Sequence, residues 1–165
     1  MKKMIKGLFV LLAPVMTWGY STLDTGVSWS MDDLVANSGG AVTGTNFNYQ
    51  LNENIFIKEN DILRIASGTT ITYDDAISWS ALVVQGTLLA RGTEDRSILF
   101  TFSELRGGVG DKDRPLEFSG STGSSNSVLE WIICENADYG LLIKHSTPLT
   151  LKNCTFRNNN RGMYA

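Results

Sequence analysis

Basic residues, cysteine, proline and histidine are all scarce in this chain, and each shortage excludes something. Lys and Arg number 14 against 17 acidic residues. With no basic stripe to meet phosphate, this balance argues against nucleic acid as a partner and is equally unfavourable for adhesion to anionic lipid. Only 3 of 165 residues are proline while 42% are hydrophobic, which suits a packed β protein and not a disordered one. The single histidine, His145, stands beside Lys144 in a polar KHS turn and reads as solvated. Apolar runs are short as well. The longest, residues 7–16 (GLFVLLAPVM), has about half of the ~20 residues that a membrane-spanning helix needs.

That apolar run is preceded by Lys2, Lys3 and Lys6 and followed by Thr17 and Gly19, small residues at the −3 and −1 positions of a cut before Tyr20. Residues 1–19 therefore read as a signal peptide, and the protein is expected to be secreted, periplasmic or displayed at the cell surface. No cysteine follows the apolar run, so lipid anchoring has no support. Without the leader's three lysines the 14 basic residues fall to 11, against 17 acidic, a net charge of −6.

The C-terminal end repeats itself every 22 residues. Asn136 falls on Asn158, Gly140 on Gly162, Leu141 on Met163, Leu129 on Leu151 and Ile132 on Cys154. A fixed period of this length signals stacked units, each burying its apolar face only against its neighbours. The units contain short apolar strands, turn asparagines and a glycine, with no helical periodicity. Upstream, apolar pairs spaced by two recur: Ile55/Ile57, Leu63/Ile65, Ile71/Tyr73, Leu82/Val84, Leu88/Ala90 and Ile98/Phe100. Turn signals at Asn60-Asp61, Ser67-Gly68, Asp74-Asp75, Gly86, Gly92 and Glu94-Asp95 separate them. Strands broken so often suit three short faces per coil around a narrow core. Residues 103–114 and 120–126 interrupt the pattern and read as loops bulging from the coil.

Ahead of the coils, Ser30 followed by MDDLVAN and Ser38-Gly39-Gly40 predicts a short helix. Ser30 is the N-cap, Asp32 and Asp33 complement the N-terminal dipole, and Gly39 gives a left-handed exit. Met31, Leu34 and Val35 share a face, so the helix is expected to cover the first coil. The acidic pair reads as capping, not as a catalytic pair.

The stretch LVVQGTLLARGTEDRSILFTF (residues 82–102) resembles a run found in secreted bacterial right-handed parallel β-helix proteins, the pectate-lyase-like group. LTLKNCTFRNNNRGMYA (residues 149–165) is similar to their later coils. The resemblance spans roughly residues 49–165 and implies an all-β, right-handed, single-stranded parallel β-helix. Residues 20–48 would then be a cap segment with its short helix. Asn136 and Asn158 would stack as an internal asparagine ladder, and the 22-residue spacing places their amides over one another.

Enzymes of the fold so implied include pectate lyases and polygalacturonases, but their motifs are missing. Asp74-Asp75 supplies a DD pair, while no NTD, GHG or RIK occurs. No aspartate recurs at 22-residue spacing to build a calcium site from successive coils. Asp111 and Asp113, in the loop GGVGDKD, are the only metal candidates, offering two carboxylates where Ca²⁺ takes 6 to 8 oxygens. No cofactor is otherwise expected. Trp131 and Trp79 are candidates for stacking sugars. For Trp131, matched by Asn153 at a corner between two strands, the alternative is packing beneath the loop at residues 120–126.

These readings point to a non-catalytic surface protein that binds carbohydrate or a cell-envelope partner. The alternative is the N-terminal part of a polysaccharide lyase or hydrolase whose catalytic coils follow residue 165. The pattern stops at Ala165 without a closing segment. Leu149, Leu151, Cys154, Phe156 and Met163 would then form an open apolar end, to be covered by further coils or by another chain.

The same register separates the thiols. Cys134 stacks with Phe156 and Cys154 with Ile132, one coil and two residues apart, or roughly 8 Å between Cα atoms where a disulfide reaches at most ~7 Å. Thiol titration in denaturant without reductant should find both cysteines reactive; a blocked pair would mean the alignment is off by two residues.

Overall fold

The computed structural model describes residues 19–74, 82–103, 113–120, 126–144 and 149–165. Three sheets enclose one core, and the chain visits them in fixed rotation. The first circuit runs through β1 (Tyr20–Ser21), β2 (Ser28–Trp29), helix α1 (Met31–Asn37) and the hairpin β3 (Val42–Thr45) and β4 (Asn48–Leu51). The second takes β5 (Ile55–Ile57), β6 (Ile62–Ile65) and β7 (Thr70–Tyr73). The third takes β8 (Leu82–Val84), β9 (Thr87–Arg91) and β10 (Ile98–Thr101), and the fourth β11 (Leu116–Phe118), β12 (Val128–Glu130) and β13 (Ile132–Glu135). The fifth takes β14 (Tyr139–Ile143), β15 (Thr150–Lys152) and β16 (Thr155–Arg157), and β17 (Arg161–Tyr164) returns to the first sheet.

The resulting orders are β1-β5-β8-β11-β14-β17, β2-β6-β9-β12-β15 and β3-β4-β7-β10-β13-β16. Every pairing is parallel except that of the β3–β4 hairpin. Strands β1 and β2 already belong to the parallel sheets upstream of Tyr49. At two residues each they are too short to show an alternation.

The register of the last circuits is the 22-residue one. Leu129 pairs with Leu151, Cys134 with Phe156, and Leu141 with Met163. Inward rows run from circuit to circuit: Tyr49, Ile71, Phe100 and Cys134 in the third sheet, and Ile65, Ala90 and Leu129 in the second. Both members of each apolar pair named above are buried, because residues two apart on a strand share a face. Tyr73 stacks on Phe102 at 4.7 Å between centroids, and its hydroxyl donates to the Pro115 carbonyl. Buried as it is, the phenol would otherwise be an unpaired donor. Cys134 is buried and Cys154 half-buried, both as free thiols. Burial pushes the Cys134 thiol well up, so it stays protonated and unreactive.

Helix α1 packs against β3 and β6 and buries Met31 and Leu34, while Val35 is half-buried. Its start is a capping box. Ser30 Oγ accepts from the Asp33 amide at 3.1 Å, and the Asp33 carboxylate accepts from the Ser30 amide at 2.8 Å. A hydrogen bond from the Ser30 hydroxyl to the Asp33 carboxylate at 2.7 Å, then the one from the Ser30 amide, holds that carboxyl below its usual range. Asp32 is a different case: it accepts from the Tyr49 hydroxyl at 2.7 Å and ties the helix to β4. Burial, then this bond, raises the Tyr49 phenol to about 12. Gly39 provides the left-handed exit at φ 64°. Among the described residues no helix is long and apolar enough to cross a membrane.

Asp61 fastens the first circuit to the second. Its buried carboxylate accepts from the backbone amides of Asp24, Thr25 and Val27 at 2.9, 3.1 and 3.0 Å. In return Asp24 accepts from the Asn60 amide at 2.9 Å. Burial alone would raise the Asp61 pKa, but the hydrogen bonds from Thr22 and the three amides outweigh it, and the net shift is downward. A depressed carboxyl contributes stability that is present above the unfolded pKa of about 3.9 and is lost as pH falls through the folded value. Asp61→Asn should therefore lower stability at neutral pH by about 2–3 kcal/mol and flatten the acid limb of a stability–pH curve measured by urea unfolding. An unchanged acid limb would show that Asp61 carries no such linkage.

Candidate functional site

The outer face of the first sheet carries a groove of about 380 Å³ lined by Asn54, Phe56, Val83, Gln85, Arg114, Glu117, Ser119 and Lys144. Two stacked rows build it. Phe56, Val83, Glu117 and Leu142 are in register on β5, β8, β11 and β14. Two residues further on, Gln85, Ser119 and Lys144 follow their strands, each amide donating to the previous circuit: Gln85 to Ile57, Ser119 to Val84 and Lys144 to Phe118, at 2.8 to 3.0 Å. Polar side chains on one row thus lie one strand spacing apart, about 4.8 Å.

Glu117 is the unusual member. Its side chain is only 4% exposed, yet it sits in a row otherwise apolar. A buried carboxylate must be paired or neutralised. Arg114 Nε lies against Glu117 Oε2, as an ion pair without the alignment of a hydrogen bond, and Lys144 Nζ stands 2.6 Å from Oε1. One partner comes from the segment entering β11 and the other from the circuit above. Arg114 is largely buried at 12% side-chain exposure, whereas Lys144 is 47% exposed. Sequence reasoning did not reach this cluster. Its one signal was a glutamate inside the apolar triplet Leu116-Glu117-Phe118.

Trp131 is the single residue between β12 and β13, at the corner joining the second and third sheets. Its backbone is left-handed at φ 51°, as is that of Asn153 one circuit later at φ 53°. Its amide donates to the Lys152 carbonyl and its carbonyl accepts from the Ile98 amide, both at 3.0 Å. Below it lies Gly92, where an added Cβ would come 2.5 Å from the Trp131 carbonyl oxygen. Left-handed backbone costs an ordinary L-residue roughly 1–2 kcal/mol, while glycine and asparagine adopt it routinely. The indole is half-buried.

Asn136 and Asn158 end paired strands and are both left-handed, at φ 63° and 54°. Asn136 donates its amide to Thr101 Oγ1 at 3.1 Å and to the Phe102 carbonyl. Asn158 is exposed, and the amide that reaches back one circuit is that of Asn159. It accepts from the Ala137 amide and donates to the Cys134 carbonyl, both at 3.0 Å. A left-handed residue turns the next side chain toward the corner, which places Asn159 over the strand end where a ladder was expected of Asn158.

Of the metal candidates, Asp113 is buried and its carbonyl accepts from the Asp138 and Tyr139 amides. Asp111, Trp79 and His145 lie outside the described residues, as does Asp75 of the DD pair. Among the described residues no three His, Cys, Asp or Glu side chains converge to hold a metal ion. No family model, curated protein or solved structure matches this chain.

The Glu117 cluster predicts unequal penalties. Arg114→Met leaves the buried carboxylate with one half-exposed partner and should cost about 3–5 kcal/mol. Lys144→Met removes a charge that water can replace and should cost about 1 kcal/mol. Urea unfolding of both variants tests this; equal losses would contradict the assigned asymmetry.

Proposed function

We propose that the protein is an exported, right-handed parallel β-helix that binds carbohydrate at a cell surface or in the surrounding envelope without turning it over. The fixed rotation of the chain through three parallel sheets supports the fold reading, together with the resemblance of residues 49–165 to secreted β-helix proteins. The leader pattern supports export, and the net charge of −3, or −6 once the leader's three lysines are removed, argues for a partner other than nucleic acid or anionic lipid.

The groove on the first sheet carries the proposal. Sugar recognition needs hydrogen-bonding groups for hydroxyls beside an apolar surface for ring C–H groups. Here an amide (Gln85), a hydroxyl (Ser119) and an ammonium (Lys144) stand in line, with Phe56 and Val83 on the adjacent row. The paired Glu117 pins Arg114 and Lys144, so less side-chain entropy is lost on binding than free lysine and arginine would lose.

Soluble β-1,4-glucan and polygalacturonate are suitable probes. The wild-type protein should be retarded by at least one of them in affinity electrophoresis. Gln85→Ala/Ser119→Ala, which removes two groups from the middle row, should bind at least tenfold more weakly with an unchanged melting temperature. Equal retardation of the variant would remove the groove from consideration, and release of reducing ends by the wild type would overturn the non-catalytic reading.

A further inference from the structure

We infer that Trp131 forms a second sugar-binding site, on the opposite side of the molecule from the groove, and that the protein bridges two glycan chains. The inference rests on the groove being a glycan site.

Trp131 joins the second and third sheets, so the shared core separates it from the outer face of the first sheet. One glycan strand lying in the groove cannot reach the indole. Backbone chemistry argues that the indole is not there to make the corner. The same corner is made by Asn153 in the next circuit at nearly the same φ. Tryptophan is the costly choice at this position. Nor does the core account for it. Among the described residues Trp131 belongs neither to the buried cluster nor to the partly buried side chains packed against it; residues 121–125 of the loop beneath which packing was the alternative lie outside the described residues.

What surrounds Trp131 suits a pyranose. Glu130 and Lys152 form an ion pair at 2.7 Å on the strands beside it, and Arg91 is in register with Glu130. A sugar ring stacked on the indole would find donors and acceptors for its hydroxyls at the rim. The left-handed φ and two backbone hydrogen bonds hold the corner from which the indole extends.

Asparagine fits the left-handed corner, which makes Trp131→Asn a clean probe: it removes the indole without asking the backbone to change. Isothermal titration with cellotetraose, and in parallel with tetragalacturonate, should give two oligosaccharides per wild-type chain. Trp131→Asn and Gln85→Ala/Ser119→Ala should each bind one, and Trp131→Asn should melt no lower than the wild type. With the matching polymer, the wild type should raise viscosity and either variant should not.

One oligosaccharide per wild-type chain, kept by Trp131→Asn and lost by the groove variant, would overturn the second site and leave the groove standing. One per chain with the opposite dependence would overturn bridging and the groove together. Unchanged stoichiometry in Trp131→Asn with a melting temperature several degrees lower would show that the indole packs and does not bind. Absence of binding to either oligosaccharide would remove both readings.

Discussion

Parallel stacking of circuits imposes the constraint on which everything else in this chain depends. Once a strand pairs in register with the strand below, each residue sits about 4.8 Å above a specific predecessor, and the rows so formed must be chemically consistent. The core rows satisfy this by repeating apolar side chains, as in Tyr49, Ile71, Phe100 and Cys134. Outside, the rows carry charge in alternation where the circuits are closest in sequence. Glu130 pairs with Lys152 at 2.7 Å and Glu135 with Arg157 at 2.6 Å, each pair 22 residues apart. Exposed pairs of this kind contribute little to stability, about 0–1 kcal/mol each, but they favour this register, since a slip by one or two residues would set each glutamate against a neutral side chain.

Two buried carboxylates show how the same frame accommodates charge. Asp61 is held by backbone amides of a loop one circuit below, and Glu117 by cations from its own circuit and the one above. The first arrangement uses groups that need a partner in any case, so it fastens the chain and leaves nothing over for a ligand. The second gathers three long side chains at the floor of an open groove. That contrast separates a structural carboxylate from one placed where a ligand could use its neighbours.

How much could be read in advance follows from the distance over which each feature is determined. The apolar pairs were legible because spacing by two is a local property of a strand. The 22-residue register was legible only where no insertion intervenes. Ile98 pairs with Ile132 and Leu89 with Val128, offsets lengthened by the segments between β10 and β12. Glu117 was illegible because its burial depends on Arg114 and Lys144, which meet only when two circuits stack. The exchange of Asn159 for Asn158 turns on a left-handed φ that spacing does not report. The Trp131 corner could be placed because Asn153 marks the same position one period later.

The orientation of the ladders has a mechanical consequence. Backbone hydrogen bonds between circuits point along the stacking direction, so a pull along that direction loads one layer of bonds at a time. A pull along the strands instead shears many bonds together. A chain tethered at its Tyr20 end and tugged lengthwise would meet the Asp61 fastening first, where one carboxylate gathers three amides of the first circuit. Resistance to force in this molecule is therefore directional: stiff across its faces, and along the stacking direction as strong as its weakest junction between layers.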